Sequence, residues 1–217
     1  VLLANTLVMG FSSGITGYGA TVFFNPVSNA LKISRTVTSI AIAMTRAENT
    51  ILALLIGYVV DKFGPRPPII FGMTLMSLGL ILFGIYANSL LLFVVTWTFM
   101  VALGASIGGF APNWATINNW FERKKGRAMG IGMAAQSMGG VIMAPLLAVM
   151  IYNWGWRVAA VVSGILVALV VLPVTKIIRT RPQDMGLQPD GYTNLRPEAR
   201  SSSMGTETSS HQDNIGV

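Results

Sequence analysis

The sequence predicts an all-α integral membrane protein: six transmembrane helices in one bundle, followed by a disordered tail. Three observations carry that prediction. Hydrophobic residues make up 53% of the 217-residue chain and charged residues 11%, with a mean hydropathy of +0.62, whereas a soluble domain carries about a quarter charged residues. The few charges are segregated, because residues 1–31, 67–121, 128–156 and 158–175 contain no Asp, Glu, Lys or Arg. Polar punctuation breaks the apolar runs into lengths that suit a hydrocarbon layer crossed by about 20 helical residues.

The first span is read over 1–24. Its Gly10, Gly14 and Gly17 share one face at i, i+4, i+7, which lets a neighbouring membrane helix approach closely. It opens without a basic leader, so it is expected to be a true span rather than a cleaved signal, and Asn25-Pro26 is expected to end it. Residues 36–60 form the second span. Residues 67–121 are too long for one crossing, since 55 residues would run about 83 Å at 1.5 Å each. Asn88-Ser89 divides them into a third span, 68–87, and a fourth, 90–120. The charged loop Glu122–Arg127 leads into a fifth span, 128–152. A turn through Asn153-Trp-Gly-Trp156 precedes the sixth, 157–178, and its tryptophans suit a membrane interface.

Basic residues set the orientation. The loops after the second, fourth and sixth spans hold Lys62, Arg66, Arg123, Lys124, Lys125, Arg127, Lys176, Arg179 and Arg181, against Lys32, Arg35 and Arg157 on the other side. Positive-inside bias then places both ends of the chain in the cytoplasm, with the bundle in the plasma (inner) membrane. The net charge of +7 is therefore an orientation signal and not a nucleic-acid patch. From Arg181 the Pro-, Ser- and Thr-rich segment to Val217 lacks the apolar content to bury a core, and 181–217 is expected to be disordered.

The second span carries the strongest functional signal. An ionised side chain at bilayer depth costs roughly 2.5–3.5 kcal/mol on insertion scales, yet Arg46 and Glu48 lie near its middle. Two residues apart is about 200° of rotation, so they face different ways. Arg46 shares its face with Ala43, Asn49, Thr50, Ala53 and Gly57, small or polar residues. It is the candidate cavity charge for an anionic substrate, since a guanidinium fork matches a carboxylate. Glu48 shares its face with Ala41, Met44, Leu52 and Leu55. There desolvation penalises the charged form, which makes it the candidate proton-coupling group. The alternative for both is a structural hydrogen-bond network within the bundle. Face arithmetic adds further cavity candidates. Ser106, Gly109, Asn113 and Thr116 form a stripe on the fourth helix, with Pro112 a kink, and Gln136 aligns with Gly132 and Gly140 on the fifth. Tyr18, one turn after Gly14, is a candidate to present its hydroxyl to substrate. Ordinary helix packing is the competing account of these polar residues, and it is the preferred one for Gly104-x-x-x-Gly108 and Gly126-x-x-x-Gly130.

One loop carries a family resemblance. The run Gly57-x-x-x-Asp61-Lys62-x-Gly64-Pro65-Arg66 resembles the signature between helices two and three of the major facilitator superfamily. Tyr18–Pro26, Trp120–Arg127 and Arg181-Pro-x-Asp184-Met-Gly186 add to it. Together they are most similar to the oxalate:formate antiporter and monocarboxylate transporter branch. The resemblance covers Val1 to about Gly191. It implies one six-helix half of a twelve-helix fold that binds its substrate between two halves, with a C-terminal half as partner. It also implies that Gly57, Asp61, Lys62, Gly64 and Arg66 latch one of the alternating states. Physically, Asp61 caps the second helix and can pair with Lys62, Arg66 or the Arg123–Arg127 cluster, while Gly64 permits the tight turn. The alternative is that the loop only fixes topology.

The expected function is secondary transport of small organic anions, monocarboxylates or dicarboxylates, by alternating access, with no cofactor. The other classes are a non-transporting helical scaffold and a membrane-embedded enzyme. The chain has no Cys, its one His is His211 in the tail, and no Walker-type nucleotide loop occurs. Hydrolase, metal or ATP-driven chemistry therefore has no constellation to rest on.

Overall fold

The computed structural model describes residues 2–30, 32, 35–121 and 123–175. Within 35–51 it describes the helix, and only the side chains of Ser39, Ile40, Ala43 and Thr50. The tail at 181–217, the sixth span beyond 175, and the side chains of Arg46 and Glu48 lie outside the described residues.

The regular structure is helical. The first helix, Leu2–Ala30, runs on through Asn25-Pro26, where the sequence suggests a stop. Pro26 lies inside the helix and removes one backbone bond, a loss that membrane helices tolerate when neighbours cover it. The second helix, Arg35–Phe63, is followed by a tight turn in which Gly64 takes φ 80° and donates its N–H to Val60 O at 2.8 Å. That turn leads directly into the third helix, Arg66–Tyr86, whose Pro67 and Pro68 occupy a first turn where no N–H is needed. Ser89 starts the fourth helix, Leu90–Trp120, its side chain accepting from Leu92 N. The last helical run is Lys125–Thr175.

Four of these runs are long and apolar enough to cross a membrane: Leu2–Ala30, Arg66–Tyr86, Leu90–Trp120 and Lys125–Thr175. The second helix has 29 residues but carries Arg46 and Glu48 near its middle. At 51 residues, the last run would measure about 77 Å if straight. It turns at Gly155, whose φ of 82° and ψ of 161° suit a residue without Cβ.

Contacts fix the directions of the helices. The first and third both run antiparallel to the fourth: Asn5 meets Asn113 and Ser12 meets Gly109, while Gly72 meets Gly108 and Gly79 meets Met100. The arm 125–154 runs parallel to the first helix, pairing Gly10 with Gly139 and Gly19 with Leu147. The arm 156–175 runs antiparallel to the third, pairing Gly84 with Arg157 and Ser77 with Gly164. The two arms therefore reverse at Gly155. The turn at 64–65 and the basic stretch 123–127 come to one end of the bundle, and 87–89 and 153–157 to the other.

Because lipid is as apolar as leucine, close packing rather than apolar burial holds such helices together. The third and fourth helices touch through Gly72, Gly104 and Gly108; a Cβ on Gly72 would stand 2.6 Å from Gly104 O. Gly104 and Gly108 are thus packing glycines, as expected, whereas Cβ atoms at Gly126 and Gly130 would meet open space. An aromatic cluster closes the opposite end. Phe83 is fully buried and touches Phe23, Phe93, Trp97 and Trp156 at centroid distances of 6.0, 5.8, 5.3 and 5.3 Å. Trp156 is therefore a core residue, while Trp154 is exposed. Beside it Arg157 stacks on Trp156 and donates to Ile85 O, Ala87 O and Asn88 Oδ1, tying the two turns together. Leu3, Leu54, Phe71, Val141 and Leu169 point outward, as lipid-facing side chains do.

Candidate functional site

Two irregularities in otherwise regular helices shape the site. The first is a π turn, Ser13–Tyr18, in the first helix. A π turn closes i→i+5 and spends one residue more than an α turn, and such bulges are frequent at functional sites. Here Gly19 N–H reaches back to Gly14 O. The seam packed on the fifth arm becomes Gly10, Gly14 and Gly19 instead of Gly10, Gly14 and Gly17. Gly17 rotates off that seam, and its Cβ position meets only Ser13 Oγ, at 3.6 Å.

The second irregularity is a kink at Gly109, with φ −88° and ψ −87°. Pro112 has no N–H to give Gly108 O, and Asn113 makes good the loss. Its Nδ2 donates to Gly108 O at 2.8 Å and contacts Gly109 O, and Asn113 O accepts from Asn5 Nδ2 at 3.1 Å. Asn5 and Asn113 are both fully buried.

Between these features lies an open cavity of about 490 Å³. The first helix contributes Ser12, Ser13, Thr16, Gly17 and Thr21, the fourth Trp97, Ser106 and Gly109, the fifth Gln136, and the second Ala53 and Ile56. Thr16 and Ser106 donate back to their own helices, to Ser12 O and Ala102 O. Among the described residues, the side chains of Ser12, Ser13 and Gln136 have no protein hydrogen-bond partner, which leaves hydroxyl and amide donors available to a solute. Among the described residues lining the cavity, none is charged. The wall is a set of neutral donors on an apolar frame, chemistry that orients a small polar or anionic solute without fixing its charge.

The residues singled out from sequence distribute as follows. Ser106 and Gln136 line the cavity. Asn113 and Thr116 do not; both are fully buried, with Thr116 Oγ1 donating to Pro112 O, because the Gly109 kink turns the lower half of the fourth helix away. Tyr18 packs its ring on Gly140 and is half exposed outside the lining. Arg46 belongs to the helical register of Ala53, seven residues on, and Ala53 lines the cavity; for Arg46 and Glu48 the side chains lie outside the described residues. Gly57 is open to its surroundings, Asp61 and Lys62 are exposed, and Lys62 Nζ stands 5.9 and 5.5 Å from the Tyr58 and Phe63 ring centroids. Among the described residues Asp61 makes no ion pair. Arg66 is partly buried at the start of the third helix. Sequence reasoning missed Ser12, Ser13, Thr16 and Gly17. The signal available was a stripe of hydroxyl and small residues at 12, 13, 16, 17 and 21 inside an apolar span.

Comparison with known proteins follows the same line. The family model described as Major Facilitator Superfamily matches residues 6–201. An oxalate:formate antiporter of Oxalobacter formigenes is 28% identical over 181 residues, 82% of this chain and 42% of that protein. A riboflavin transporter of Trypanosoma brucei brucei is 32% identical over 154 residues, 68% of this chain and 27% of the other. Monocarboxylate transporter 12 of Xenopus laevis is 33% identical over 117 residues, 54% and 25% of the two chains. The chain thus spans between a quarter and about two fifths of the length of these relatives. The helical bundle with its open cavity and the match through nearly all of it lead to one assignment: the chain belongs to the Major Facilitator Superfamily, and its relatives there include an oxalate:formate antiporter and monocarboxylate transporters.

Proposed function

We propose that this chain forms the N-terminal half of a secondary transporter that carries small organic anions, monocarboxylates or dicarboxylates, by alternating access. The observation that carries the proposal is the cavity itself. It is open, lined by neutral polar side chains from the first, fourth and fifth helices, and bordered by the helix that carries Arg46. Six spans cross the membrane in this reading, Arg35–Phe63 and the two arms of Lys125–Thr175 each counting as one, and a further six-helix half closes the cavity. The names of the relatives support a carboxylate substrate. Gln136, with Ser12 and Ser13, donates to the carboxylate, and Ser106 lines the wall beside them; Arg46 supplies the compensating charge, and Glu48 couples a proton. Asn113 and Tyr18 position the fourth and first helices, and the Gly57–Arg66 loop latches one state. Both ends of the bundle's chain face the cytoplasm.

The test is uptake into vesicles by the full-length protein, using labelled oxalate, formate and lactate. Counterflow of at least one of them is expected. Gln136→Leu removes one donor worth about 1.4 kcal/mol and is expected to raise KM about tenfold with normal insertion. Arg46→Gln is expected to abolish uptake while leaving insertion intact. Uptake of none of the three by an inserted, folded protein overturns the carboxylate reading.

A further inference from the structure

We infer that Gly17 is the size gauge of the cavity, the position that sets how bulky a solute the first helix admits. The inference rests on reading the cavity as the substrate site and goes beyond it by naming what limits the substrate.

Glycine in a helix interior weakens it relative to alanine, and one that lines a cavity calls for a reason. For its neighbours the reason is contact. A Cβ on Gly14 would stand 2.6 Å from Gly139 O and 2.7 Å from Met143 Cγ, and one on Gly19 would stand 2.8 Å from Leu147 Cδ1. Gly17 has no such reason. It is exposed, with no left-handed φ, and its Cβ position meets only Ser13 Oγ at an ordinary 3.6 Å. In an unbroken α-helix Gly17 would fall on the seam with Gly10, seven residues earlier. The π turn Ser13–Tyr18 advances the phase by about one residue, close to 100°, and delivers Gly17 to the cavity wall between Ser13 and Thr21. A Cβ there is in ordinary contact with Ser13 Oγ alone, and the residue lines the cavity. Gly17 therefore leaves room for the end of the solute remote from its carboxylate. Short solutes, such as a two-carbon dicarboxylate, do not need that room; solutes with a branched or aromatic end do.

The portion of the protein described by this sequence contains no cysteine, which allows a test independent of transport. In the full-length protein, with thiols elsewhere replaced, Ser106→Cys is a reporter on the cavity wall. Its labelling rate is measured with methyl methanethiosulfonate and with a bulky biotin-maleimide, alone and combined with Gly17→Val. The expected result is an unchanged rate with the small reagent, to within about twofold, and a rate lowered about tenfold or more with the bulky one, the scale of overpacking costs. Gly17→Ala is expected to fall between. Equal slowing of both reagents, or slowing of neither, overturns the gauge. A companion uptake assay compares oxalate with phenylpyruvate in Gly17→Val without the reporter. Retained oxalate uptake with lost phenylpyruvate uptake supports the gauge, and parallel loss of both contradicts it. Failure of the unsubstituted protein to take up any carboxylate sinks the proposed substrate class and leaves the labelling result to decide Gly17.

Discussion

Three glycines of similar helical setting have opposite meanings at the scale of the residue. Gly72 faces the fourth helix so closely that a methyl group would strike Gly104 O and the backbone of Gly108. Backbone cannot yield as a flexible side chain does, so the helices must separate. Gly72→Ala is expected to destabilise the bundle by about 1–3 kcal/mol, the cost of overpacking a filled site. Gly130 stands within a helix with open space at its Cβ position, so Gly130→Ala is expected to stabilise by about 0.5–1 kcal/mol through helix propensity alone. Melting of the detergent-purified protein checks both signs. Gly17 belongs to a third kind, open on its Cβ side but open into the cavity. Their sequence contexts are alike; what differs is the neighbour across the contact.

Asn113 gains its role from the element that contains it. The missing N–H of Pro112 leaves the backbone oxygen of Gly108, beside the kink at Gly109, without its helix bond, and the buried Asn113 amide supplies the donor. Replacing Asn113 with Leu orphans that carbonyl, at about 1–3 kcal/mol for a buried polar group. Pro112→Ala restores an N–H able to reach Gly108 O, so the double variant Pro112→Ala/Asn113→Leu is expected to lose less stability than Asn113→Leu alone. A double-mutant cycle on melting temperature measures that coupling, and simple additivity would count against the backbone-replacement role. The same kink explains why the stripe Ser106, Gly109, Asn113, Thr116 splits, the first two lining the cavity and the last two buried.

The whole molecule is a topological claim that can be tested directly. The turn at 64–65 and the stretch 123–127 share one end of the bundle, and the reversal at Gly155 brings 153–157 to the other. With the remaining thiols removed, Lys125→Cys is expected to react with an impermeant maleimide only after the cells are permeabilised. Asn153→Cys is expected to react in intact cells. Labelling of both from the same side would refute the antiparallel arms and the cytoplasmic placement of the chain's ends together.

Sequence alone determined the membrane character, the helical runs and most of the turns. Composition, charge segregation and Gly/Pro punctuation act locally, and lipid forces unpaired backbone into helices whatever the neighbours are. The family signature at Gly57–Arg66 was legible for the same reason, since its turn is set by Gly64 within its own few residues. Which face of a helix meets the cavity was not legible. Face arithmetic assumes 100° per residue, and one π turn at Ser13–Tyr18 and one kink at Gly109 break that phase. Tertiary packing decides where such irregularities sit, because only contacts with other helices repay the backbone bonds they disturb. That is why Gly17 moved from seam to wall, and why Asn113 moved from wall to core.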